Sequence, residues 1–285
     1  MNPPRSLTKQ IITISLLFSS VLGFAQSPEL HAHADAKSNL QVIADTVLHH
    51  PDASVRWKFH EILLEQLEML LWEDPDGLRS LADSLPTLSI LSSKDHRVVL
   101  VSWVVPNEDN IYNYGGILRF EKGNNLHVQR LTGQSETQKA LYSRMLHLNE
   151  WYGALYYDII QKGRGKSKHY VVLGWDQFTP TANRKIIDGI RWHEELEQPV
   201  LEAPLEDAKG NEVSRMIFGY REDASMSLRY HPKEKRLVWD HLTPIRGAPA
   251  GMADFMVPDF SYDGLKYKRG RWRFLENIAP ENERE

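Results

Sequence analysis

The sequence predicts an α+β fold, in which a short N-terminal helical region precedes a large antiparallel β meander that is barrel- or sandwich-like. Apolar residues recur at three- and four-residue spacing up to residue 88, and they recur at every second position from residue 96 onward. Tips rich in Gly, Lys and Asn join many of the later segments, as in antiparallel hairpins, and no helical pattern lies between them to carry a parallel crossover. We therefore predict a helical region at 38–88 and an antiparallel β domain at 89–285.

Residues 1–25 have the features of a secretory signal peptide. Arg5 and Lys9 precede an apolar run at 11–24, and Gly23-Phe24-Ala25 forms a small-x-small cleavage site. Because the run is shorter than the roughly 20 residues that a membrane span needs, we expect a soluble exported protein, periplasmic or extracellular, with no transmembrane segment after signal cleavage. The small and polar residues at 26–37 are predicted to form a flexible tether.

The composition is that of a globular protein, with 41% hydrophobic and 25% charged residues, which excludes disordered, collagen-like and coiled-coil classes. The 34 Lys and Arg residues are outnumbered by 38 Asp and Glu, so the net charge is −4, and loss of Arg5 and Lys9 would leave 32 against 38, or −6. This charge argues against nucleic acid as a partner. The chain has no cysteine, so hydrophobic burial rather than a disulfide framework must hold the fold.

Three helices are predicted in the N-terminal region. The first ends before Pro51. The second begins at an N-cap supplied by Asp52 or Ser54 and carries an amphipathic pattern to residue 71. The third opens at Asp74-Pro75, which has the character of a cap followed by a first turn.

Short strands are predicted throughout the rest of the chain. The strand at 97–105 is apolar on both faces, so we expect it to be central and covered on both sides, by a second sheet or by the amphipathic helix. About eleven strands at four per blade fall short of the roughly four blades of a closed propeller. The predicted strands are 97–105, 112–120, 125–131, 151–160, 168–176, 184–192, 213–220, 225–231, 236–242, 264–268 and 271–276.

Polar residues interrupt the apolar faces of three predicted strands, and these are the candidate catalytic residues: Asp176, Asp188, Asp240 and His241. Burial raises the pKa of a carboxyl group toward the range useful in acid–base catalysis. Alternatively, these side chains lie at strand ends or bond to backbone groups and hydroxyls. The sequence does not place them together, so both interpretations stay open.

The candidate binding residues lie on one basic C-terminal hairpin: Lys266, Lys268, Arg271, Trp272 and Arg273. An anionic polymer of the envelope is a suitable partner for such a surface. Alternatively, the charges protect an edge strand from pairing with another chain.

Motifs for a specific reaction do not occur in the sequence: it has no serine nucleophile elbow, zinc-binding helix or dinucleotide fingerprint. The segment Gly163-Arg164-Gly165-Lys166-Ser167 is similar to the end of a phosphate-binding loop. However, Ile160 stands where that motif needs glycine, and a strand-like segment follows. We therefore predict a solvated hairpin tip there. We also predict no metal site and no cofactor for the chain.

Several segments together resemble a family of exported bacterial proteins of unknown function. The resemblance spans about residues 90 to 278 and implies an exported, β-rich protein, but it implies no activity, ligand or catalytic residue. The segments that carry it are Trp151-Tyr-Gly-Ala-Leu-Tyr-Tyr157, Leu173-Gly-Trp-Asp176, Lys185-Ile-Ile-Asp188, Trp239-Asp-His-Leu242 and Pro258-Asp-Phe-Ser-Tyr-Asp-Gly264.

Three functions are compatible with these patterns. The favoured one is a non-catalytic binding or interaction module of the bacterial envelope, whose partner is an envelope protein or an anionic or glycan polymer. The second is a hydrolase that acts on envelope or extracellular polymers. The third is a carrier of a small apolar ligand.

Overall fold

The computed structural model describes residues 28–109, 111–132, 142, 144–249 and 251–279, with side chains from residue 38. The predicted signal peptide at 1–25 lies outside the described residues.

Three helices begin the described chain: α1 (Pro28–His49), α2 (Ala53–Glu73) and α3 (Pro75–Ser80). The predicted caps are confirmed, since the Asp52 carboxylate accepts from the Ser54 N–H at 2.8 Å and the Asp74 carboxylate accepts from the Gly77 N–H at 2.8 Å. Helix α1 corrects the predicted tether over residues 28–37. The segment 29–49 contains no Gly or Pro and includes several alanines, so helix formation meets no local obstacle there. No helix among the described residues has the length and apolar character to cross a membrane.

Fifteen strands follow the α-helices in the described part of the chain. They are β1 (Ser89–Ser92), β2 (Val98–Pro106), β3 (Tyr112–Lys122), β4 (Asn125–Arg130), β5 (Leu155–Lys162), β6 (His169–Thr179), β7 (Ala182–His193), β8 (Gln198–Leu201), β9 (Leu205–Glu206), β10 (Glu212–Val213), β11 (Met216–Arg221), β12 (Leu228–His231), β13 (Arg236–Pro244), β14 (Met256–Lys268) and β15 (Arg271–Leu275).

The strands form three sheets. The first sheet has the order β1-β2-β3-β4, the second has the order β11-β7-β6-β5 with β8 paired to β7, and the third has the order β10-β9-β15-β14-β13-β12. The pairings are antiparallel except for β15 with β9, which meet in parallel at Trp272 and Leu205. The fold is therefore an α+β arrangement of helices and mainly antiparallel sheets, as the sequence predicts.

The helices and sheets stack in layers because most of the central strands are apolar on both faces. In β2, Val99 and Val101 pack against the helices, whereas Val98 and Leu100 pack between the first and second sheets. The predicted central position of this strand is thus confirmed. A third apolar cluster, which includes Leu173, joins the second sheet to the third.

The strand boundaries differ from the predicted ones at a few places. Strands β1, β8 and β9 are absent from the prediction because segments of two to four residues are too short to show an alternating pattern. Strand β14 begins at Met256 rather than at residue 264. The prediction missed its first half because Pro258 interrupts the alternating pattern. In the structure this half pairs with β13 beyond a register shift between Asp240 and Leu242.

Candidate functional site

Asp176, a predicted catalytic candidate, is held in an ion pair. Its side chain is buried, and both of its oxygens accept from Arg184, at 2.9 Å from Nε and 2.7 Å from Nη2. Burial raises the pKa of Asp176, although the arginine opposes this effect. The guanidinium group also stacks on the Phe178 ring, with 3.9 Å between its central carbon and the ring centre. These contacts fix the carboxylate in place.

Asp188 lies in the fully buried part of the same sheet face. It forms an ion pair with Arg215 at 3.2 Å, and both side chains have no exposed surface. The carboxylate also accepts from the Tyr156 hydroxyl at 3.2 Å and from the Gly189 N–H at 2.8 Å. This network satisfies a buried charge in the way that a stable interior requires.

The two carboxylates do not form a catalytic pair. Asp176 is opposite Arg184, whereas Asp188 is opposite Val172, which is four residues away along β6. That offset separates their backbones by about 13 Å. Because side chains stand roughly perpendicular to a sheet, the two carboxyl groups are separated by a similar distance, which exceeds the roughly 6.5–9.5 Å between the carboxyl groups of inverting glycosidases. An arginine also neutralises each of them.

Asp240 and His241 lie elsewhere, on β13 in the third sheet. Asp240 accepts from the Ser227 N–H at 2.6 Å. His241 Nδ1 lies 2.7 Å from the Asp263 carboxylate, and this hydrogen bond raises the pKa of His241. The structure therefore distributes the four catalytic candidates over separate local environments.

The basic hairpin is formed by β14 and β15, and its alternation corrects one predicted binding residue. Trp272 faces inward, is fully buried and donates from Nε1 to His169 Nε2 at 3.2 Å. Trp272 is therefore a core residue, because its position in β15 places it opposite Tyr267 on the apolar face of the hairpin.

The other four predicted binding residues lie together on the outward face of the hairpin. Lys266 is directly opposite Arg273, and Lys268 is directly opposite Arg271. All four residues are exposed. Strand β14 is not an edge strand, since it lies between β13 and β15. Protection of a sheet edge therefore does not account for the lysines.

Two glutamates compensate part of this charge. Arg271 is 2.9 Å from Glu212, and Arg273 forms an ion pair with Glu206. The side chains of Lys266 and Lys268 form no hydrogen bond or ion pair with any residue in the described ranges. The outward face thus retains two uncompensated positive charges on a protein whose net charge is negative.

A cleft of about 610 Å³ opens between the second and third sheets. Tyr157 and Asp158 line it from β5, Lys185 lines it from β7, and Arg229 and Asp240 line it from β12 and β13. The Tyr157 hydroxyl bridges the two sheets by donating to the Leu228 carbonyl at 3.0 Å. The cleft lies within the usual size range of small-molecule sites, about 300–1,000 Å³.

Two charged residues in this cleft lie on the inner face of the second sheet. Asp158 is directly opposite Leu173, and Lys185 is two residues from Ile187, so each charged residue shares a sheet face with its apolar neighbour. Leu173 and Ile187 both belong to the core between the second and third sheets. Burial raises the pKa of Asp158. Burial lowers the pKa of Lys185, and the nearby Arg229 lowers it further. Shifted groups that line a cleft are typical of functional sites.

Sequence reasoning missed this pair, although a signal for Asp158 exists. Asp158 lies between Tyr156 and Ile160 at alternate positions, as Asp188 lies between two isoleucines. A register shift between Tyr156 and Asp158 turns Tyr156 to the opposite face, so only Ile160 shares the face of Asp158. The proximity of Lys185 depends on the pairing of three strands, and the sequence pattern does not contain it.

The described residues contain no group of three or more His, Asp or Glu side chains that could hold a metal ion. The resemblance to exported proteins of unknown function stays a prediction. No family model matches the chain, and no curated protein or solved structure matches it either, so the proposals below depend on its own geometry.

Proposed function

We propose that this chain is a non-catalytic binding module of the bacterial envelope that holds an anionic polymer on the outward face of the β14–β15 hairpin. The observation that carries the proposal is the pairing of Lys266 with Arg273 and of Lys268 with Arg271 on one exposed face. A linear polyanion that crosses the two strands would meet all four cations.

The energetics of the hairpin support this proposal. Like charges directly opposite each other in a sheet are destabilising. Among the described residues, glutamates pair with the two arginines and not with the two lysines. A bound polyanion would reduce the repulsion and supply the missing counter-charges for Lys266 and Lys268. The surface is also built on an interior strand, which keeps the four side chains in fixed register.

The test is titration of the full chain with polygalacturonate, a polymeric carboxylate, at increasing salt concentrations. Basic residues near an anionic surface each contribute about 1 kcal/mol, so the double variant Lys266→Gln/Lys268→Gln should bind roughly 30-fold more weakly. Wild-type binding should weaken as salt rises, because the exposed charges are screened.

Two further variants make the test specific. The matched control is Lys58→Gln/Lys94→Gln, which removes the same charge from exposed positions on α2 and on the loop before β2, and it should bind as wild type does. Conversely, Glu206→Gln/Glu212→Gln should strengthen binding, because it releases Arg271 and Arg273 from their partners. Equal loss in the control and the hairpin variant would refute the proposal.

A further inference from the structure

We propose that the cleft between the second and third sheets is a binding site for a sugar acid of the hexuronate class. Lys185 and Arg229 would hold the ligand carboxylate, and Asp158 and Asp240 would accept from its hydroxyl groups. This site is separate from the hairpin surface and does not depend on the function proposed for it.

The two cationic side chains of the cleft have no counter-ion among the described residues. Neither the Lys185 nor the Arg229 side chain forms a hydrogen bond or an ion pair with another residue in the described part of the chain. The Lys185 ammonium instead lies over the Tyr157 ring, 4.6 Å from its centre. A half-buried charge without a counter-ion is costly. A ligand carboxylate would remove this cost and form charge-assisted hydrogen bonds with both residues.

The acidic residues of the cleft retain free acceptors. One oxygen of Asp158 accepts from the Ile159 N–H at 2.8 Å, and one oxygen of Asp240 accepts from the Ser227 N–H at 2.6 Å. The second oxygen of each carboxylate accepts from no residue in the described ranges. Carboxylate oxygens accept hydrogen bonds only, so they are suited to the hydroxyl donors of a sugar.

The spacing between Asp158 and Lys185 explains why these two side chains do not form an ion pair with each other. Asp158 is opposite Leu173, which is opposite Ile187, and Lys185 is two residues from Ile187. Two strand spacings and two residue steps place the Cα atoms of Asp158 and Lys185 about 12 Å apart. That distance leaves room for one sugar ring between the side chains.

Two aromatic residues line the cleft beside the charged ones. Tyr157 is 38% exposed, and Tyr230 also lines the cleft. A lysine ammonium lies over one face of each ring, at 4.6 Å for Lys185 on Tyr157 and at 4.8 Å for Lys162 on Tyr230. The C–H groups of a sugar would therefore contact the ring surface that the lysines leave exposed.

The experiment is isothermal titration of the full chain with D-galacturonate and, separately, with D-galactose. Galacturonate should bind, and galactose should bind at least about tenfold more weakly because it lacks the charged group that meets Lys185 and Arg229. Failure of galacturonate to bind, or equal affinity for the two sugars, would overturn the proposal.

Variants locate the site. Lys185→Gln and Asp158→Asn should each weaken galacturonate binding, the former by about tenfold or more. Arg229→Gln should weaken it too, and because Arg229 is exposed, this variant tests the site without risk to folding. Lys233→Gln, an exposed change in the turn after β12, is the matched control and should bind normally. Normal binding by all three cleft variants would overturn the proposal.

The hairpin variant separates the two proposals. Lys266→Gln/Lys268→Gln should bind monomeric galacturonate as the wild type does, because neither lysine lines the cleft. A loss of monosaccharide binding in that variant, with no loss in Lys185→Gln, would assign the ligand to the hairpin and refute the cleft site.

Discussion

Two buried histidines should make the protein sensitive to acid, because each accepts a hydrogen bond from a buried tryptophan. Trp103 Nε1 donates to His60 Nδ1 at 3.1 Å, and Trp272 Nε1 donates to His169 Nε2 at 3.2 Å. The other nitrogen of His169 lies 3.0 Å from the Ser167 carbonyl, to which it donates. Both histidines must therefore be neutral, since protonation would turn each acceptor nitrogen into a donor.

The size of the effect follows from the difference in pKa between the folded and unfolded chains. Burial lowers the pKa of both His60 and His169 in the folded protein, whereas an unfolded histidine titrates near about 6.5. Well above that pH the two histidines are neutral in both the folded and the unfolded chain, so their titration does not change the free energy of unfolding. Below it the unfolded chain binds more protons, so the free energy of unfolding falls with pH. From about pH 7.5 to about pH 5.5 the loss reaches at most about 1.4 kcal/mol for each histidine.

The assay is urea unfolding at both pH values, followed by tryptophan fluorescence. In His169→Gln the amide oxygen can still accept from Trp272, but the side chain no longer titrates. This variant should lose less stability than the wild type between the two pH values, by up to about 1.4 kcal/mol. His49→Gln, an exposed change at the end of α1, serves as the control. Equal losses in the wild type and His169→Gln would refute the assignment of His169 as a neutral buried acceptor.

Three other substitutions should lower the free energy of unfolding by amounts that the structure sets. Trp272→Ala should cost about 3–5 kcal/mol, since it empties a fully buried site; a cost near zero would contradict the burial of Trp272. Asp188→Asn should cost about 3 kcal/mol because it breaks the buried pair with Arg215, and an unchanged denaturation midpoint would contradict that role. Gly115→Ala should cost roughly 1–3 kcal/mol, because an added Cβ would lie 2.1 Å from the Trp103 ring; wild-type stability would contradict this packing.

The elements that the sequence predicts well are those whose own residues determine them. Asp52 and Asp74 cap α2 and α3 through hydrogen bonds to N–H groups two or three residues away. The apolar residues on both faces of β2 require covering on both sides, whatever the order of the other strands. In contrast, β9 has two residues and exists through its contacts with β10 and β15, so its own sequence carries too little information.

The same distinction applies to the candidate sites. The alternation of the hairpin is local, and four of the five predicted binding residues lie on its exposed face. The alternation that turns Arg271 and Arg273 outward also turns Trp272 inward, so the error there lay in treating the aromatic residue as part of the basic surface.

The ion pairs of Asp176 and Asp188 differ in how far apart the partners lie in the sequence. Arg184 is eight residues from Asp176, but Arg215 reaches Asp188 from a different strand connection.

Charged residues on the two faces of the second sheet should respond oppositely to substitution, and this contrast separates scaffold from site. Asp188 faces the first sheet with an arginine partner, so its loss destabilises the fold. Lys185 faces the third sheet without a counter-ion among the described residues, so Lys185→Met should remove an unfavourable charge and raise the free energy of unfolding by roughly 0.5–2 kcal/mol. The same variant should lose galacturonate binding. Gain of stability with loss of binding is the result expected of a residue kept for a ligand. A destabilised Lys185→Met protein would instead show that the lysine supports the fold through its contact with Tyr157.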